Sequence, residues 1–381
     1  MNWFSGQSFL GLKNFLKLDW ILIISVILLA SAGLVTMNSF SQDSSFFGKQ
    51  LIWLTVSLVV FFVFSTIDWR FLRRTNITVT IFFSIVILLF AVFVLGITVK
   101  GAERWLSFGL FSFQPSDPAK IALIILLSKY FTRRHVEIAH FKHILVSGFY
   151  AFILFVLIFL QPNFSTAIVI GFIWFGMVMI SGISKKHIFA IIALGAISFA
   201  FLWFFVLHDY QKERIVTFVD PLADARGAGY NALQSMIAVG SGQLVGKGIG
   251  FGTQSRLRFL PEYQTDFIFA SFAEEWGFVG VIILISLFGI VIWRIIYNAI
   301  HGASNFEILF GAGVAVWFVS HFAIHLGMNV GLLPVTGITL PFVSYGGSHL
   351  LTEFAALGIL MGMRRYSRTF HKSLKDERQL I

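Results

Sequence analysis

The sequence predicts an all-α, polytopic membrane protein, and three observations predict it. Hydrophobic residues make up 57% of the chain and charged ones only 12%, against about 25% charged in soluble domains. Apolar runs of about 20 residues recur, each long enough to cross roughly 30 Å of hydrocarbon as a helix. The basic residues, finally, lie in short clusters between alternate apolar runs. A net charge of +10 on its own would suit a nucleic-acid binder. Clusters that interrupt apolar runs are instead what orientation by cytoplasmic Lys and Arg produces, so nucleic acid is excluded. There is no cysteine, which removes disulfide, zinc-thiolate and thiol chemistry.

Ten spans follow, at roughly 18–39, 47–66, 76–98, 117–131, 144–160, 164–182, 188–206, 266–293, 306–327 and 342–363. They form a single polytopic domain over 1–381, with a large extracytoplasmic loop at 207–265 and a basic cytoplasmic tail at 364–381. With the N-terminus inside, the alternate loops and the tail collect 18 of the 28 basic residues, among them Arg70, Arg73, Arg74, Lys185, Lys186, Arg294, Arg364 and Arg365. Both termini are therefore expected in the cytoplasm. Lys13 and Lys17 before Ala30-Ser31-Ala32 imitate a cleavable signal. Leu34 and Val35 prolong that run, however, and removing the span would spoil the charge alternation.

The second outer loop, KGAERWLSFGLFSFQPSDPAK (100–120), sets a cation beside an amphipathic ring in Arg104-Trp105. That pair suits a headgroup-level anchor or a ligand contact. Asp117 and Lys120 follow three apart on one helical face. A lysine at depth costs roughly 2.5–3.5 kcal/mol and demands a partner or a wet cavity. It either snorkels to Asp117 or serves a site.

QPNFST (161–166) is a tight outer turn. The loop after span seven is too long for a connector, and its Phe218, Tyr230, Leu233, Met236 and Leu260 give it a core to bury. Within it, GYNALQSMIAVGSG (229–242) reads as an interfacial or re-entrant helix, too short to cross. GKGIGFGTQSRLR (246–258) matches neither GxxxxGK[ST] nor GxGxxG, so no nucleotide is expected. Its glycines permit close backbone approach, and Lys247, Arg256 and Arg258 bring positive charge.

LPEYQTDFIFASFAEEWG (260–277) is the most telling stretch. A polar run holding Glu262 ends at Asp266, where an apolar helix is expected to begin, with Glu274 and Glu275 two turns in. Asp266 is either an N-cap or a functional carboxylate at the mouth of the membrane. His321 and His325, i and i+4, lack the glutamate of a zincin helix and read as packing residues. The last outer loop (327–351) breaks its backbone with glycine and proline before Ser344-Tyr345-Gly346-Gly347-Ser348, which is tolerated at membrane depth only beside protein or a polar cavity.

These features would converge on one outward cavity with cations, a loop carboxylate and apolar walls, suited to an amphiphile with an anionic head and a lipid tail. Two classes of function fit. An enzyme would use a carboxylate as general base and cations for a leaving pyrophosphate. A transporter would pass the substrate along midplane charges. A non-catalytic membrane scaffold is the third reading.

The runs GAERWLSFG (101–109), FQPSDPAK (113–120), FVDP (218–221), residues 229–280 and GLLPVTGITLPFVSYGGS (331–348) also resemble the signature segments of the SEDS family. That family comprises the peptidoglycan glycosyltransferases that include RodA and FtsW, and LPVTG before LPFVSYGGS resembles its RodA, cell-elongation branch. The resemblance implies polymerisation of lipid II into a nascent glycan strand at the outer face of the bacterial cytoplasmic membrane. It implies a class B penicillin-binding protein, a transpeptidase, as partner, and a divalent cation (Mg2+ or Mn2+). The family's essential aspartate falls on Asp266, as base or metal ligand, and its acidic–lysine pair on Asp117 and Lys120. Substrate contacts are expected from Arg104, Trp105, Asp117, Lys120, Lys247, Arg256, Arg258, Glu262, Ser344 and Ser348. Two departures stand out: Asp117 is one methylene shorter than the family's usual glutamate, and Asn163 replaces an aspartate in the turn before span six.

Overall fold

The computed structural model describes residues 18–40, 45–99, 102–108, 111–132, 141–182, 185–206, 212–213, 216–218, 220, 228–257 and 259–378. A helix stands at each predicted span. They are α1 (Trp20–Phe40), α2 (Ser45–Thr66), α3 (Thr75–Leu95), α4 (Ser116–Thr132), α5 (Phe141–Leu160), α6 (Phe164–Ile180), α7 (Lys185–Phe205), α10 (Ile268–Ile300), α11 (Asn305–Asn329) and α12 (Gly347–Arg378). Between α7 and α10 lie α8 (Ala228–Ser241), where the short apolar run predicts a helix, and the single turn α9 (Thr253–Arg256). Seven of the described helices are long and apolar enough to cross a membrane. The segment from 364 onward, read from sequence as a tail, prolongs α12 to Arg378.

The second outer loop holds more order than expected. Span three ends at Leu95, and a three-stranded antiparallel sheet follows: β1 (Ile97–Val99), β2 (Ala102–Phe108) and β3 (Phe111–Phe113), in that spatial order. Arg104 and Trp105 sit side by side on β2 and so face opposite sides of the sheet. They therefore do not form one cation–ring unit.

Small residues bring α2 and α12 together. Gly347 packs on the Trp53 indole, Gly358 on Phe61 and Phe64, and Gly362 on Trp69 and Phe64, leaving no room for a Cβ. The four-residue spacing of Gly358 and Gly362 is the small-xxx-small pattern of membrane helix pairs. From α2, the Gln50 amide donates to Ser344 O (3.2 Å) and accepts from Gly346 N (3.2 Å), holding the turn before α12.

The opposite end of the bundle is fastened by ions. Asp19 caps α1 at Leu22 N (3.3 Å) and receives Arg294 Nη2 (2.6 Å), Asn298 Nδ2 (2.9 Å) and Arg364 Nη1 (3.1 Å), joining α1, α10 and α12. Nearby Arg73 pairs with the buried Glu307 of α11. The exposed Arg70 guanidinium beside Asp68 holds that carboxyl below its usual range. Asp19→Ala would strand two arginines, so thermal unfolding in detergent should show a loss of about 3–5 kcal/mol.

α10 is broken, not continuous. Gly277 (φ 64°, ψ −168°) interrupts it, and the backbone groups freed there are satisfied by residues 243–248. Phe278 N and Val279 N donate to Gln243 O (2.9 Å) and Leu244 O (3.1 Å), while Lys247 N and Gly248 N donate to Glu274 O and Glu275 O (both 3.0 Å). A Cβ on Gly246 would strike Glu275 O, and one on Gly277 would strike Gly246 N. The close approach that the glycine-rich run allows is thus to the break in α10. Gly277→Ala should cost roughly 1–3 kcal/mol in the same unfolding assay, from left-handed strain and that collision.

Candidate functional site

Asp266 lies two residues ahead of α10, in the turn 261–267, rather than at the helix cap. The cap residue is Phe267, which makes no side-chain capping bond. Glu262 delays the helix. Its backbone is left-handed (φ 51°) and its carbonyl receives Thr265 N (3.0 Å), Asp266 N (3.1 Å) and Phe267 N (3.3 Å). Three elements then fix the turn. Ser344 Oγ donates to Thr265 O (2.8 Å), Tyr345 N donates to Gln264 O (2.8 Å), and Asn329 Nδ2 donates to Asp266 O (3.0 Å). The half-buried Asp266 carboxylate faces Gly337 (φ 75°), where a Cβ would lie 3.2 Å from Oδ2. The pinned backbone holds this carboxylate in place while leaving it partly open.

Asn329, which makes one of these three bonds, escapes sequence reading. Its amide also donates to His325 O (2.8 Å) and accepts from Ala270 N (3.3 Å), and its backbone carbonyl accepts from Ser235 Oγ of α8 (2.9 Å). An amide one turn beyond His325, at the outer end of a membrane helix, is the available signal. His325 and His321 hold the same broken segment, with Nδ1 at 2.6 Å from Ile338 O and 3.3 Å from Thr339 O.

Lys247 is committed elsewhere. Its Nζ meets Glu274 Oε1 at 2.7 Å, and Glu274 also accepts from Thr253 Oγ1 (3.1 Å) and Gln254 N (3.1 Å). Glu275 Oε1 accepts from Gly250 N (2.5 Å). The two buried carboxylates therefore staple the glycine-rich loop to α10, and the exposed Lys247 is part of that staple.

Asp117 and Lys120 also form a closed arrangement. Lys120 Nζ lies 2.9 Å from Asp117 Oδ1, and the two residues are only 1% and 4% exposed. His349 Nδ1 lies 3.2 Å from the same oxygen, and its Nε2 lies 2.9 Å from Glu353 Oε1. Glu353 Oε2 in turn accepts from Phe342 N (3.0 Å). Trp317 presents its ring 5.2 Å from Lys120 Nζ, and His321 stacks on His349. The shorter aspartate reaches its lysine and gains a second partner. Lys120 thus reaches Asp117, within the protein interior and not out in water. His349 and Glu353, one turn apart, are the members of this network that the candidate set lacks.

Ser344 and Ser348 are buried with their hydroxyls engaged. Ser344 Oγ accepts from Leu340 N (2.8 Å), and Ser348 Oγ accepts from Gln114 N (3.2 Å). Asn163 caps α6 through Thr166 N (3.4 Å) and donates to Ser116 Oγ (3.3 Å). Arg104 and Trp105 are half-buried and Arg256 is exposed, while Arg258 lies outside the described residues. Among the described residues no three acidic, histidine or cysteine side chains gather to hold a cation.

Set against known proteins, residues 13–369 match the FtsW/RodA/SpoVE model, described as cell cycle protein. The chain belongs to this family. It is similar to the peptidoglycan glycosyltransferase MrdB of Escherichia coli, 36% identical over 292 residues that cover 77% of this chain and 78% of that one. It is equally similar to stage V sporulation protein E of Bacillus subtilis, 36% identical over 365 residues, 92% and 98% of the two chains. Among solved structures, a chain of a peptidoglycan synthase complex that couples polymerisation and crosslinking superposes with a TM-score of 0.79 at 28% identity, covering 92% of this chain and 98% of that one. The rod shape determining protein RodA of Thermus thermophilus gives 0.69 at 26% identity, with 96% and 98% covered. This FtsW/RodA/SpoVE chain therefore shares fold and family with proteins named for glycan synthesis.

Proposed function

We propose that this protein is a peptidoglycan glycosyltransferase that polymerises lipid II on the outer face of the cytoplasmic membrane, with Asp266 as general base. The observation that carries the reading is the rigidly mounted yet partly open Asp266, in a chain whose relatives are named for this activity. The acceptor sugar hydroxyl gives its proton to the Asp266 carboxylate as its oxygen bonds to the anomeric carbon of the growing strand. The bond from that carbon to pyrophosphate breaks, and lipid pyrophosphate leaves with the electron pair, inverting the centre. The exposed Arg256 and the half-buried Arg104 are assigned to the pyrophosphate charge, where oriented cations contribute several kcal/mol.

Asp266 is the residue that would hold a divalent ion, which would supply positive charge to the departing pyrophosphate, as Mg2+ does where one or two carboxylates suffice. A class B transpeptidase is proposed as partner, since the structural neighbour of 0.79 TM-score belongs to a complex that also crosslinks. Purified protein in liposomes, supplied with lipid II and a divalent salt, should yield glycan chains. Lipid II carried across the bilayer without polymer would favour a transporter, and neither product would favour a scaffold.

A further inference from the structure

The segment between α8 and α9 is fastened to α10 on one side and carries a row of large apolar side chains on the other. Leu244 is 68% exposed, Val245 80%, Ile249 49% and Phe251 67%. Exposed aliphatic and aromatic groups in such a row, in a loop whose other residues are glycines, Gln243 and Lys247, mark a binding surface. Their position identifies the occupant. Leu244 O accepts from Val279 N, which sets the row directly beside the exposed face of α10 formed by Phe278, Val279, Ile282 and Ile283. Beyond the Gly277 break, residues 278–300 extend about 34 Å at 1.5 Å per residue, enough to cross the hydrocarbon unaided. The break, and the loop interlocked with it, therefore lie at the edge of the hydrocarbon, and the lipid-facing surface of α10 runs without interruption onto the loop.

We infer that residues 244–251 are a membrane-interface anchor, with Leu244, Val245, Ile249 and Phe251 inserted at the boundary of headgroups and acyl chains of a phospholipid leaflet. Such insertion buries apolar groups about 5–10 Å into that boundary. The staple from Glu274 and Glu275 to Lys247, Thr253, Gln254 and Gly250 then has a second purpose: it carries the position of the leaflet to the loop that precedes Asp266. The anchor is independent of the chemistry proposed at Asp266, and its test reads no activity.

The chain has no native cysteine, so single labels report without background. Val245→Cys, Phe251→Cys, Ile283→Cys on the lipid face of α10 and Ser107→Cys on the exposed side of β2 would each be labelled with NBD and reconstituted in phosphatidylcholine–phosphatidylglycerol vesicles. A doxyl group high on the acyl chain should quench the labels at 245 and 251 about as strongly as the one at 283, and roughly twofold or more beyond the one at 107, as for groups held at that boundary. Quenching at 245 and 251 by an aqueous quencher alone would overturn the anchor and leave a water-facing surface for a protein. Protection from both quenchers would overturn it too, in favour of contact with a second copy. Because Val245 and Phe251 project away from the fold, their replacement should leave the melting temperature unchanged, so that a lost signal is not a folding failure.

Discussion

Asp266→Asn keeps the shape of the side chain and removes its basicity. It should lower the rate of glycan polymerisation from lipid II by about 10²–10⁴-fold, the usual contribution of a positioned general base. Stability should move far less than the rate, because the backbone of 264–266 is held by its own bonds to Ser344, Tyr345 and Asn329. The two readouts belong together: product chain yield on a gel, and the melting temperature of the same preparation. Asp266→Asn with wild-type yield would remove the carboxylate from the reaction. A large fall in both yield and melting temperature would mean that it acts through the fold.

The second large effect is expected at Lys120. Lys120→Met takes one cation from a network in which Asp117 and Glu353 are both buried, and an uncompensated buried charge costs about 3–5 kcal/mol. Asp117→Asn alone should also destabilise, since Lys120 and His349 both rely on its Oδ1. The double variant should then lose less than the sum of the two, by roughly 0.5–3 kcal/mol, as for residues sharing one network. Additive losses in denaturant unfolding would show that the pair is not energetically coupled, despite the 2.9 Å contact.

How much of this could be read in advance depended on the range of the interaction. Spans follow from hydropathy along a few turns, so every helix that crosses is visible in sequence, and Asn163 is recognisable as a cap because the bond it makes is to Thr166. The sheet at 97–113 was hidden because three short strands carry no periodicity long enough to register. Position 266 was put at the helix start, two residues early, because nothing local reveals that the Glu262 carbonyl would gather three backbone donors. The purpose of the 246–250 glycines was legible only as closeness to something. Their partner is the break at Gly277, which sequence alone presents as one more residue in an apolar run. His349 stayed out of view for the same reason, since its aspartate is 232 residues away in the chain.

Asp266 is proposed to open to the outer side of the membrane, where a glycolipid covers it. With no native thiol in the chain, Asp266→Cys can be challenged by a membrane-impermeant maleimide in right-side-out and in inverted vesicles, with and without lipid II. Modification from the outer face only, slowed by lipid II, is the expected result. Modification confined to inverted vesicles, or outer-face labelling indifferent to lipid II, would contradict it.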